Sequence, residues 1–99
     1  MKYINYQELN PKGNYPLMKD SLAKNKYPNQ EAIVRFLRKG EVVLAQLSRN
    51  KDVFDGSVIE SEVLTLTDGE YFWCNQLAHY VDKYNLRLPE EFEKHILKQ

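Results

Sequence analysis

The chain has 99 residues, 42% hydrophobic, 28% charged and 12% aromatic, with a formal net charge of +0. That is one domain, residues 1–99, with too many aromatics for long disorder and no excess of cations to suit a general nucleic-acid binder, whose affinity comes mainly from neutralising phosphates. The single cysteine excludes an internal disulfide, and neither an 18-residue apolar run nor a secretion-signal core in "MKYINYQELN" is present, so a cytoplasmic protein without a membrane span is expected.

Residues 1–28 have weak periodicity and several breakers: Asn10-Pro11, Lys12-Gly13, Tyr15-Pro16 and Tyr27-Pro28. They predict an irregular N-terminal arm, packed on or extending from a core of residues 29–99. Within it a short strand or turn of helix is expected near Tyr3–Leu9, and a helical turn around Met18–Lys24.

"PNQEAIVRFLRKG" is the clearest helix. Asn29 is placed to cap its start, Ile33, Phe36 and Leu37 share one face, and Arg38 and Lys39 suit its negative end. Gly40 is expected to end it in the left-handed conformation. "EVVLAQL" follows, β-branched and apolar on both faces, which predicts a central or well-covered strand. The polar link "SRNKDVFDGS" contains an Asp55-Gly56 turn, and "VIESEVLTLT" reads as a second strand. Asp68-Gly69 then stands between two strand patterns, the strongest short hairpin signal, with positive φ expected at both residues. Tyr71, Phe72 and Trp73 form the return strand, where consecutive aromatics divide between two faces and need no chemistry to explain them. Asn75 is placed to cap a second helix, Gln76–Tyr84, with Leu77, Tyr80, Val81 and Tyr84 as its stripe. Pro89 opens a third, with Phe92 and Ile96 inward. The order predicts an α+β domain: a small three-stranded antiparallel meander covered by about three helices, with the irregular arm outside it.

The reactive residue types do not form a convergent set. Cys74 precedes a helix, where a thiol can be activated, but cysteine is among the most buried residues and a structural thiol is expected. His79 and Asp82 stand three apart on one helix face, without the further ligands a metal site needs. Placing Gly56 sixth in a calcium loop puts Lys51 and Val53 at positions that must supply oxygens, which rejects that reading. No cofactor and no metal are therefore expected. Charge is unevenly spread, with five lysines against two acids in residues 1–30 and seven acids against four bases in residues 61–99. The arm lying against an acidic C-terminal face accounts for this, as does a partner of opposite pattern.

Asp68-Gly69-Glu70-Tyr71 with Trp73, Leu77, Tyr80-Val81, Lys83-Tyr84 and Leu88-Pro89-Glu90-Glu91-Phe92 resemble a pattern in small uncharacterised bacterial proteins. The resemblance covers about half the chain and implies bacterial origin and a compact domain. It implies no activity.

The leading expectation is a non-enzymatic protein-binding module of a bacterial cytoplasm, an immunity-type or accessory protein with a protein partner. Its candidate interface residues are Tyr15, Tyr27, Arg38 and Trp73, because tyrosine, tryptophan and arginine are enriched at interfaces. A homodimer would hide the same tyrosines. One alternative is a small hydrolase or transferase using Asp68 and Glu70 with His79. Another is single-stranded nucleic-acid binding by the arm, where Lys2, Tyr3, Tyr6, Lys12, Tyr15, Lys26 and Tyr27 interleave cations with stacking rings.

Overall fold

The computed structural model describes residues 2–47, 50–59 and 62–99. Three helices and a four-stranded sheet make an α+β domain. Strand β1 is Lys2–Ile4; helix α1 is Gln30–Arg38; β2 is Glu41–Gln46, β3 Val63–Thr67 and β4 Tyr71–Cys74; α2 is Leu77–Tyr84 and α3 Glu90–Leu97. A 3-10 turn, Met18–Ser21, occupies the arm.

The sheet is mixed, not a three-stranded antiparallel meander. Its order is β1-β4-β3-β2, with β1 parallel to β4 (Lys2 opposite Tyr71, Ile4 opposite Trp73) and the other pairs antiparallel. Three residues at the start of an irregular arm carry almost no periodicity, and their partner is distant in sequence. The central position of "EVVLAQL" is also overturned: β2 is the outer strand, and none of its residues is buried. Apolar, β-branched composition reports fit to a pleated surface, not the presence of neighbours on both sides. The predicted second strand begins only at Val63. Val58 makes an isolated bridge to Lys51, and Glu60 and Ser61 lie outside the described residues.

Alternation along β4 turns Tyr71 and Trp73 to the helices, as expected for an aromatic return strand. Trp73 is fully buried, and its Nε1 donates to the Leu37 carbonyl at 2.9 Å, satisfying one of the free carbonyls at the end of α1. Phe36 and Phe92 pack on its ring, with centroids at 5.5 and 5.6 Å. Ile33, Leu37, Leu77, Tyr80, Val81, Phe92 and Ile96 complete the core.

Gly40 serves this core in a way the sequence reading did not anticipate. Its φ is not positive; the left-handed residues are Asn29, Gly56, Gly69 and Asn85. A Cβ at Gly40 would lie 2.8 Å from Trp73 Cζ2 and 2.9 Å from Leu66 Cβ, so the glycine is required by close approach. Asn29 likewise does not cap α1 through its side chain. The buried Gln30 does more: its Oε1 accepts from Tyr27 N (3.0 Å), and its Nε2 donates to Val81 O (2.8 Å) and Asn85 Oδ1 (3.0 Å). In the β3–β4 hairpin Gly69 alone has positive φ, and the Asp68 carboxylate accepts the N–H groups of Glu70 and Tyr71.

The arm is packed on the core. Tyr6 and Tyr27 are buried, and their hydroxyls donate to the carbonyls of Arg87 (2.7 Å) and Leu86 (2.6 Å). The Ala23 N–H meets Asn85 O, and the Arg87 N–H meets Ser21 O. Lys2 pairs with Glu91, joining the basic arm to the acidic C-terminal helix.

Gly40→Ala is expected to destabilise the protein by about 1–3 kcal/mol, the usual cost of overpacking a filled core. Urea unfolding followed by Trp73 fluorescence measures it.

Candidate functional site

Two histidine–aspartate pairs join loops to helices. Asp52 has a fully buried side chain, and its Oδ2 lies 2.6 Å from His79 Nε2 on α2. Its Oδ1 accepts from Phe54 N (2.8 Å), Asp55 N (3.2 Å) and the Tyr84 hydroxyl (2.9 Å). Burial pushes this carboxyl up, but the hydrogen bonds from His79, Phe54 N, Tyr84 and Asp55 N outweigh it and hold the pKa below the ordinary value. Burial, with the bond to Asp52, raises Tyr84 to about 12. Lys83 closes the cluster through Asp55 at 2.5 Å. An aspartate orienting an imidazole is half of a general-base arrangement. Among the described residues the hydrogen bonds of this pair run to a tyrosine and to backbone N–H groups, with no serine or cysteine in reach of the ring.

The second pair is His95 on α3 with Asp68 in the hairpin, Nε2 to Oδ2 at 2.5 Å, and with Glu70 at 3.5 Å from Nδ1. Burial opposes ionisation of Asp68, but the bonds from His95, Tyr71 N and Glu70 N hold its pKa down. The acids of the hairpin thus meet His95, while His79 meets Asp52. Asp82, expected beside His79, lies 3.8 Å from Arg38 instead. No group of three or more His, Cys, Asp or Glu among the described residues is arranged to hold a metal.

Cys74 is the last residue of β4, with Sγ 3.5 Å from both Gln76 N and Asn75 Oδ1. Burial pushes the thiol up, opposite to the activation a helix start can give. The Asn75 side chain does not cap α2; it bridges to β3, accepting from Leu64 N and donating to Glu62 O.

The four candidate interface residues divide. Trp73 and Tyr27 are buried, and the Arg87 guanidinium lies 4.2 Å above the Tyr27 ring. Tyr15 is half-buried against Tyr3, and Arg38 is exposed. Of the arm's tyrosines, Tyr6 and Tyr27 are spent on the core, and Tyr3 is 42% exposed.

A run of exposed apolar residues lies elsewhere. Along β2, Val42, Val43 and Leu44 are 54%, 53% and 55% exposed, and Leu47 just beyond is 95% exposed. The ladder to β3 shifts register between Val42 and Leu44, leaving Val43 as a bulge. The following connection also exposes Val53, Val58 and Phe54, the last packed on Tyr80 and Tyr84 of α2. Sequence reasoning missed this surface because it took the apolar pattern of "EVVLAQL" as a sign of cover. Asp52 was missed too, although an aspartate two and three residues before the N–H groups it accepts is a local turn signal.

The chain matches no protein-family model, no curated protein and no solved structure. Among the described residues no helix is long and apolar enough to cross a membrane.

Asp52→Ala is expected to cost about 3 kcal/mol, because it strands several buried donors at once. The pH dependence has a fixed sign. Asp52 and Asp68 have folded pKa values depressed below the unfolded ones, so their contribution is whole above the ordinary carboxylate value of about 3.9 and is lost as pH falls through the depressed values. Thermal melts below about pH 5 should show a shallower acid loss for Asp52→Asn than for the natural chain.

Proposed function

We propose that the chain is a non-enzymatic protein-binding module of a bacterial cytoplasm, of the immunity or accessory kind, which takes an extended segment of its partner as an added strand along β2. The observation that carries this reading is the exposed apolar edge. A free sheet edge presents unpaired N–H and C=O groups, and folded proteins blunt such edges with short strands, charges or proline. The two edges of this sheet differ in that respect. β1 is three residues long and begins at Lys2. β2 is six residues long; its charge, Glu41, stands at the start, and the bulge at Val43 interrupts the uncharged run from Val42 to Gln46.

An added strand gains backbone hydrogen bonds of about 1 kcal/mol net each, and covering the valines and Leu44 adds roughly 25 cal/mol per Å² of apolar surface. The bacterial setting rests on the resemblance of the C-terminal half, and the cytoplasmic one on the lone cysteine, which suits a reducing compartment.

Leu44→Lys tests the reading. The side chain is exposed, so stability should change by no more than about 0.5 kcal/mol. Affinity capture from the native cell with natural bait should retain one stoichiometric protein that Leu44→Lys bait does not retain. Equal recovery on both baits would count against the edge, and loss only with Arg38→Ala would move the interface to α1. Concentration-dependent dimers in light scattering, broken by Leu44→Lys, would identify the partner as a second copy.

A further inference from the structure

Helix α1 carries two neighbouring stripes at helical spacing. Gln30, Ile33, Val34 and Leu37 are buried in the first. Ala32, Arg35, Phe36 and Lys39 form the second, and with Ile96 and Leu97 of α3 they line a groove of about 370 Å³ between the two helices. Its floor is apolar and held in place by the core: the Phe36 ring packs on Trp73 and Phe92, with centroids at 5.5 and 6.3 Å. Leu97, on the far wall, is 46% exposed.

The rim is cationic. Arg35 and Lys39 are both exposed and stand one helical turn apart, about 6 Å along the axis. Among the described residues neither side chain has an ion pair or a hydrogen bond. Other cations of the chain do find acids: Lys2 pairs with Glu91, Arg38 with Asp82, Lys83 with Asp55, Arg87 with Glu93 and Lys94 with Glu90. Glu31, four residues before Arg35 and in the favourable order to pair with it, borders the adjoining concavity instead.

Water satisfies a lone surface cation. Two cations beside an exposed apolar floor have a more demanding complement, one that brings acids and an apolar side chain together. A small anion would meet the rim and leave the floor uncovered. A nucleic-acid backbone gains its affinity from many neutralised phosphates, and the groove offers two cations. A second copy of the chain is poorly supplied as well, because the acids of α3 are already taken: Glu90 by Lys94, Glu91 by Lys2 and Glu93 by Arg87. We infer that this groove seats an acidic amphipathic segment of a partner protein, with an apolar side chain on Phe36 and Leu97 and its carboxylates on Arg35 and Lys39. The site is built by two helices, goes beyond strand addition at the β2 edge and does not require it.

Selection of a random twelve-residue peptide library on the immobilised full chain tests it, followed by nitrogen-15 NMR titration with the enriched peptides, inorganic phosphate and an oligodeoxythymidine. Enriched peptides should carry two or more acids flanking an apolar residue, and should give saturable shifts centred on residues 35–39 and 96–99. Arg35→Gln with Lys39→Gln should weaken that binding about fivefold, the scale of two half-exposed ion pairs. Leu97→Ser should weaken it severalfold through the floor, and Leu44→Lys should leave it unchanged, which separates this groove from the β2 edge. Raising the salt from about 0.05 to 0.5 M should weaken the acidic peptides as well. An empty selection would overturn the site. So would enrichment of neutral or basic peptides, shifts centred elsewhere, tighter binding of phosphate or the oligonucleotide, or full affinity in the Arg35 and Lys39 variant.

Discussion

The Trp73 indole holds this domain together. It meets the sheet, the end of α1 and the face of α3 at once, through its register partner Leu66, the Leu37 carbonyl and the Phe92 ring. Burying so large a side chain supplies several kcal/mol, but only if the indole N–H finds a partner, and the carbonyl left over at a helix end meets that need. The absence of a side chain at Gly40 lets the chain pass beside the ring on its way from α1 to β2. Helix, glycine and strand are therefore consecutive in sequence because they are three sides of one pocket for an aromatic ring.

Around this core, buried polar side chains fix the loops. Gln30 joins the entrance of α1 to the end of α2, Asp52 gathers a loop onto α2, and Glu93 takes the Arg87 guanidinium at 2.7 and 3.0 Å while also accepting the Leu88 N–H. Each has every strong hydrogen-bonding position that matters to its loop occupied. Gln76 differs from them: among the described residues one end of its amide is bonded and the other has no partner. An unmet buried donor costs about 1–3 kcal/mol, a considerable share of the stability of a small domain.

Much of the fold was legible because its signals are local. The stripes of the three helices, the tight reversal at Asp68-Gly69 and the inward Phe92 and Ile96 follow from spacings of two to four residues. What escaped was decided by distant neighbours. The pairing of β1 with β4, the outer position of β2 and the partners of both histidines depend on which segments meet, and no periodicity records that. Gly40 shows the same limit within one residue: a glycine after a helix signals a left-handed turn on local grounds, yet here it answers to Trp73 and Leu66. The candidate interface set fared unevenly for a related reason. Tyrosine and tryptophan suit a partner surface and a core alike, and burial alone separated Tyr27 and Trp73 from Tyr15 and Arg38.

The parallel seat of β1 has a consequence for how the chain acquires its shape. Lys2–Ile4 is made well before the strand it docks on, Tyr71–Cys74, because α1, β2 and β3 all lie between them along the chain. Until then β1 has no strand to pair with, and the β3–β4 hairpin takes a partner on each flank, β1 on one and β2 on the other. Pairing between segments so far apart in sequence closes late, so β1 remains an unpaired strand until β4 is made, open to encounters with other chains.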